Sequence, residues 1–166
     1  MDWAPETVVA FVVVSVAIVT DLRARRIPNL LTFGTMALAL GMCTVRGEPL
    51  AAFFGIAAAF VLSFPAFLLG GAMRAGDAKL LMALGGLTGI FGAAWLVVLT
   101  YALAIPFTFG ALVVTGRLGS FFSVIRAGLQ GDSAPEHQPL NLPFAPVIAV
   151  ALVVSFCFPY TAVWGS

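Results

Sequence analysis

The chain has 166 residues, of which 61% are apolar and only 9% are charged, and its mean hydropathy is +1.10. An ordinary soluble domain has about 25% charged residues, so this composition excludes one and indicates an integral membrane protein. The net charge of +1 excludes a nucleic-acid binder. Cys43 and Cys157 lie far apart in apolar runs, and His137 is the single histidine. We therefore expect no metal, no cofactor and no disulfide.

Prolines, glycines and charges divide the sequence into apolar runs that approach the roughly 20 residues needed to cross a bilayer. The first run ends before Pro28, because a residue that precedes proline avoids helical torsions. Pro28 is then expected to open the second run, and a turn at 46–49 separates the second run from the third. Residues 80–115 carry no charge. As one straight helix they would be about 54 Å long, so this run must double back, most plausibly at 89–92.

The resulting fold class is all-α: a polytopic membrane protein consisting of one six-transmembrane-helix bundle. The expected spans are residues 6–25, 29–45, 50–70, 77–91, 93–115 and 142–163. Apolar residues at helical spacing in 117–130 predict a further helix that lies in the membrane interface.

The basic residues indicate the orientation of the bundle in the membrane. Apart from Arg46, the Lys and Arg residues fall in the connections that follow the first, third and fifth spans. The positive-inside rule places those connections in the cytoplasm and both termini outside. Asp2 and Glu6 stand where a signal peptide would have its basic region, so the first span is expected to be retained in the cytoplasmic (inner) membrane.

Two carboxylates are candidates for chemistry. Asp21 and Asp77 fall at the cytoplasmic ends of the first and fourth spans, at membrane depth, where an ionisable group is costly and usually functional. The other acids fall on the outer side or in the cytoplasmic loop beside His137, where solvated side chains are expected: Asp2, Glu6, Glu48, Asp132 and Glu136.

Each candidate also has a purely structural interpretation. Asp21 could pair with Arg25, four residues further along a helix, and Asp77 could be an ordinary helix N-cap. Together, however, two acids on one face of a small bundle suit a water-activating aspartyl pair. One carboxylate takes a proton from water as general base, and its protonated partner donates to the scissile carbonyl. Because neighbouring carboxylates cannot both ionise cheaply, the pair shares one proton.

Three stretches resemble motifs of the type IV prepilin peptidases. Asp21–Asn29 is similar to the first aspartate motif, with Ile-Pro-Asn in place, and Arg74–Leu81 to the second, Gly-x-Gly-Asp followed by x-Lys-Leu-Leu. Leu142–Ala149 resembles the Pro-Phe-Gly-Pro segment that opens the last span. The resemblance implies a membrane aspartyl endopeptidase in which Asp21 and Asp77 are the catalytic pair. Its substrates would be pilin or pseudopilin precursors, cleaved after a short basic leader at the cytoplasmic membrane face, with the pilus assembly machinery as a further partner.

Two departures from the family pattern matter. Arg74 occupies the position of the first glycine of Gly-x-Gly-Asp. We expect its long side chain to extend to the lipid headgroups, and the alternative is that it orients a carboxylate of the substrate or of Asp21. The amino-terminal domain of the longer bifunctional members, with its paired CxxC zinc motifs, has no counterpart in this sequence. We therefore expect the short, protease-only form that serves tight-adherence (Flp) pili.

Four residues are expected to support the pair. Gly76 allows chain or substrate to approach Asp77, and Pro28 with Asn29 fixes how the first span leads into the second. Lys79 could simply anchor the helix in the cytoplasmic interface. Alternatively, it could hold an acidic group of the substrate or tune the acidity of the aspartate pair.

Two other kinds of function are alternatives. A small ion- or proton-coupled transporter would have its acids near the bilayer midplane. A non-catalytic subunit of a pilus or secretion assembly would not need two aspartate motifs. The lack of charge inside the second, third, fifth and sixth spans disfavours transport.

Overall fold

The computed structural model of the chain describes residues 5–68, 74–114, 116 and 144–158. These described residues form five helical elements, of which the fourth reverses direction within its range: α1 Pro5–Ala24, α2 Asn29–Val45, α3 Pro49–Leu68, α4 Ala75–Val114 and α5 Ala145–Cys157. No strand occurs in these residues, so the all-α prediction is confirmed. The interfacial helix expected at 117–130 lies outside the described residues, as do Asp132, Glu136 and His137.

The connection between α1 and α2 is short because both helix ends are set locally. Arg25 has a left-handed backbone, with φ 51°, which stops α1 at Ala24. Its N–H still donates to the carbonyl oxygen of Asp21 at 2.8 Å. Pro28 is extended, with φ −62° and ψ 131°, and forms the N-cap of α2. The chain therefore changes direction between residues 25 and 28.

Helix α4 is two antiparallel arms joined at Gly89. This residue has φ 72° and ψ −178°, a conformation that only glycine adopts readily. A β-carbon placed on Gly85 would lie 3.1 Å from the β-carbon of Ala93, whereas eight residues of straight helix span about 12 Å. The reversal expected at 89–92 is therefore present, and the arms are residues 75–88 and 90–114.

The core lies around the first arm of α4. Helix α3 packs so closely against this arm that a β-carbon on Gly55 would collide with the carbonyl group of Gly85. Small residues such as Ala17, Ala59 and Ala93 let the other helices approach. The largest fully buried apolar side chains belong to α4 and α5: Leu80, Leu81, Leu84, Leu96, Ile148 and Leu152.

The outside of the bundle is apolar, as expected for a protein surrounded by lipid. On the second arm of α4, the side chains of Phe91 and Ile105 are 68% and 69% exposed. Two stretches, Pro5–Ala24 and Ala75–Gly110, are long and apolar enough to cross a membrane, and the second includes the reversal at Gly89. The other helices have shorter apolar stretches. The structure therefore describes a helical membrane protein, and the count of six spans stays a prediction.

The bundle has two chemically different ends. At one end, which we call the Asp21 end, the C-terminus of α1 meets the N-termini of α2, α4 and α5. At the opposite end, which we call the Glu6 end, the buried carboxylate of Glu6 on α1 forms an ion pair with Arg46 after α2. Trp95 on the second arm of α4 donates to the carbonyl oxygen of Phe158 near the same end.

Candidate active site

Asp21 lies in the last turn of α1 and is only 3% exposed. Its Oδ2 accepts a hydrogen bond from the backbone N–H of Ala145 at 3.3 Å. Ala145 is the first residue of α5, and the N–H groups of a first helical turn have no partners within their own helix. The start of α5 therefore supplies Asp21 with a donor and with the favourable end of a helix dipole.

Asp77 lies in the first turn of α4 and is also 3% exposed. Its Oδ2 accepts a hydrogen bond from the backbone N–H of Arg74 at 3.3 Å, while the carbonyl oxygen of Arg74 accepts from the N–H groups of Asp77 and Ala78. Arg74 is thus the N-cap of α4, and Asp77 reaches back to it from the third helical position. The interpretation of Asp77 as the N-cap residue is wrong, because the helix begins before it.

The two acids are neighbours although 55 residues separate Asp21 from Asp77 in the sequence. Arg74 links the segments that carry them, because its backbone N–H donates to Oδ2 of Asp77 and its side chain donates to the carbonyl oxygen of Arg25, four residues after Asp21. The pairing of Asp21 with Arg25 is wrong: no ion pair joins them in the part of the chain that the structure describes. The N–H of Arg25 still bonds to the carbonyl oxygen of Asp21, but the left-handed φ of Arg25 gives its side chain a different direction from that of a helical residue.

The side chain of Arg74 is bonded to the connection that follows α1. Its Nη1 donates a hydrogen bond to the carbonyl oxygen of Arg25 at 3.1 Å, across the gap between α4 and the connection that follows α1. Its positive charge also attracts the carboxylate of Asp77. The bond to Arg25 lies at the exposed end of the bundle, and the expectation that Arg74 also reaches the lipid headgroups stays a prediction.

The remaining supporting residues also bring α2 and α4 together. Lys79 donates from Nζ to Oδ1 of Asn29 at 2.9 Å, and the same ammonium lies 5.2 Å from the ring centre of Phe33. A β-carbon on Gly76 would lie 3.5 Å from that of Ile27. The group that approaches Gly76 in this structure is therefore the connection that leads to Pro28.

Comparison with known families shows what kind of protein has this arrangement. The sequence model of the type IV leader peptidase family matches residues 8–131. The chain belongs to this family. The match includes Asp21 and Asp77, and it ends before the segment Leu142–Ala149. No curated protein and no solved structure gives a significant match. The predicted resemblance to prepilin peptidases is confirmed, and the chain is a leader peptidase embedded in a membrane.

Two contacts at this site of the leader peptidase are not predictable from its motifs. Nothing in the motifs indicated that the N–H of Ala145 would point at Asp21, since any residue can supply a backbone donor. The bond from Arg74 to the carbonyl of Arg25 depends on the left-handed backbone of Arg25, which the sequence did not indicate. As for metals, the described residues contain no group of three or more His, Cys, Asp or Glu side chains that could hold an ion.

Proposed function

We propose that this leader peptidase is an aspartyl endopeptidase in which Asp21 and Asp77 form the catalytic pair. The observation that carries the proposal is that two carboxylates, each 3% exposed, lie on different helices at the same end of the bundle, where hydrogen bonds from Arg74 link the segments that carry them. Burying two acids side by side is unfavourable, and such groups cluster at functional sites. Their place at an end of the bundle favours a peptidase over a transporter, whose acids would lie near the midplane.

The chemistry follows from a proton shared by the two acids. The ionised carboxylate takes a proton from water while the water oxygen attacks the carbonyl carbon of the scissile peptide bond. The protonated partner gives its proton to the carbonyl oxygen, which produces a neutral tetrahedral diol. Collapse of the diol breaks the C–N bond: one hydroxyl proton returns to a carboxylate, and the leaving nitrogen receives the proton held by the other. The pair ends as it began, with one proton.

The helix N-termini supply the electrostatic support for this cycle. The N–H groups of Ala145 and Arg74 each donate to an Oδ2 atom, which leaves the other oxygen of each carboxylate for water or substrate. Donors at a helix N-terminus stabilise an ionised carboxylate in a buried place without a metal ion.

The basic residues indicate which side of the membrane the site faces. Five described cations lie at or next to the Asp21 end, and Arg46 lies at the Glu6 end. The positive-inside rule then places Asp21 and Asp77 at the cytoplasmic face. The cations at the Asp21 end are Arg23, Arg25, Arg26, Arg74 and Lys79.

The substrate class follows from this position. A pilin-like precursor has a polar basic leader followed by an apolar helix, so its cleavage site lies where water meets lipid. A pair of acids at the cytoplasmic end of a membrane bundle is placed to cut there, and an exposed apolar surface on α2, which includes Leu30 and Phe33, adjoins Asn29. We propose a type IV pilin or pseudopilin precursor as the substrate.

The test is cleavage of a tagged pilin precursor co-expressed with the peptidase, followed by gel mobility. Asp21→Asn and Asp77→Asn should each abolish conversion to the shorter product while the protein remains inserted at normal abundance. Glu48→Gln, which changes an exposed acid in the turn before α3, is the matched control and should cleave normally. EDTA should have no effect on the wild-type chain. More than a few per cent residual cleavage by either Asn variant, or inhibition by EDTA, would overturn the aspartyl assignment.

A further inference from the structure

Arg74 is bonded to both aspartate-bearing segments of the chain. Its backbone N–H donates to Oδ2 of Asp77 at 3.3 Å, and its side-chain Nη1 donates to the carbonyl oxygen of Arg25 at 3.1 Å. Arg25 in turn donates its backbone N–H to the carbonyl oxygen of Asp21 at 2.8 Å. A continuous series of hydrogen bonds therefore leads from the backbone of one acid to the carboxylate of the other through a single side chain.

Ile27 packs against Gly76 in the connection after α1, and the Arg25 end of that connection has the bond from Arg74 as a further restraint. Arg25 has a left-handed φ of 51°, which is unfavourable for a residue with a long side chain. The carbonyl oxygen of Arg25 lies past the end of α1. No N–H group of that helix can donate to it, so it needs a donor from elsewhere in the chain. A guanidinium is well suited to this, because it offers several N–H donors in a rigid plane and is always charged.

We propose that Arg74 is a positioning residue that holds the connection after α1 against the start of α4 and thereby sets the separation of Asp21 and Asp77. Its catalytic consequence rests on the proposed function, whereas its structural part does not. Arg74 stands where the resembling motif has glycine. In this chain the side chain is thus a contact that a glycine could not make.

Kinetics of cleavage separate positioning from other roles. Arg74→Met keeps the approximate length of the side chain but removes its N–H donors, and Arg74→Lys keeps a positive charge with the three N–H donors of an ammonium group. A misplacement of about 1 Å in a catalytic group costs up to roughly a hundredfold in rate. We expect Arg74→Met to lower kcat by about 10- to 100-fold with KM little changed, and Arg74→Lys to recover most of this loss.

Other roles for Arg74 give different results. If the guanidinium bound an acidic group of the substrate, Arg74→Met would mainly raise KM. If the side chain served only as an interfacial anchor, Arg74→Met would cleave like the wild type. Either outcome would overturn the proposal.

Cross-linking measures the same contact without cleavage. A β-carbon at position 76 would lie 3.5 Å from the β-carbon of Ile27, within the range for a disulfide. We would introduce Ile27→Cys and Gly76→Cys into a chain in which Cys43 and Cys157 are changed to Ala. Oxidation should form the disulfide rapidly when Arg74 is present, at least fivefold more slowly with Arg74→Met, and at nearly the original rate with Arg74→Lys.

The two measurements fail independently. An unchanged cross-linking rate in the Arg74→Met chain would overturn the proposal, whatever the kinetics show. A slower rate combined with unchanged kcat would also overturn it, because Arg74 would then not set the geometry of the acids. If Asp21→Asn retained cleavage, the proposed function would be wrong, while the cross-linking result would still decide whether Arg74 holds the two segments together.

Discussion

The contact between α3 and the first arm of α4 leaves no room for a side chain at Gly85. A β-carbon there would lie 2.6 Å from the carbonyl oxygen of Gly55, 2.9 Å from the β-carbon of Ala59 and 3.1 Å from that of Ala93. Carbon atoms pack best at about 3.5–4.0 Å, so Gly85→Ala forces the two helices apart. Overpacking of this kind costs about 1–3 kcal/mol.

Alanine also favours a helix over glycine by about 1 kcal/mol, which would partly hide this packing cost. Gly41→Ala is the matched control, because Gly41 lies in α2, is exposed and has nothing within 4 Å of an added β-carbon. Both variants gain the same helix propensity, so the difference between their stabilities isolates the packing cost.

The expected difference is measurable as a melting temperature. For a chain of this size, 1 kcal/mol shifts Tm by about 2–4 °C, so Gly85→Ala should melt about 2–12 °C below Gly41→Ala. Thermal unfolding of the two detergent-purified variants would be followed by circular dichroism. If Gly85→Ala melts at or above Gly41→Ala, the close packing of α3 on α4 is refuted.

The remaining predictions concern the Glu6 end and the topology. Arg46→Gln leaves the carboxylate of Glu6, which is 8% exposed, without its ion-pair partner. It should lower the free energy of unfolding by about 1–3 kcal/mol, while the double variant with Glu6→Gln should recover part of this loss, as measured by thermal unfolding. Equal destabilisation by the single and double variants would contradict the pairing. A reporter fused after Ser166 should lie outside and one inserted at Ser133 in the cytoplasm, and a cytoplasmic C-terminus would refute the six-span prediction.

The sequence was most informative where covalent geometry decides the structure. Pro28 restricts the residue before it, so the break between α1 and α2 was predictable. The uncharged run of residues 80–115 is too long for one span, and Gly89 offered a place to reverse. The proximity of Asp21 and Asp77 followed from placing both at the same end of predicted spans.

Contacts made by backbone groups across the bundle could not be predicted from the sequence. The left-handed backbone of Arg25 is unusual for that residue type, and the direction of the Arg74 side chain depends on it. The bond from Ala145 to Asp21 depends on the register of α5 against α1, which is set by packing of buried side chains rather than by any local motif.

The position of Gly89 has a consequence for how water reaches the inside of the bundle. The arm 75–88 rises about 21 Å, whereas the hydrocarbon layer is about 30 Å thick. Its last turn therefore ends below the level of the lipid headgroups, where free backbone groups need polar partners. A cavity of about 280 Å³ lined by Glu6, Arg46 and Thr88, among others, opens beside this turn and can admit water from the Glu6 end. Because the side chains of this arm are buried among the other helices, we expect water in this cavity, rather than lipid headgroups, to reach the end of the arm, which shortens the apolar barrier between the Glu6 end and Asp77.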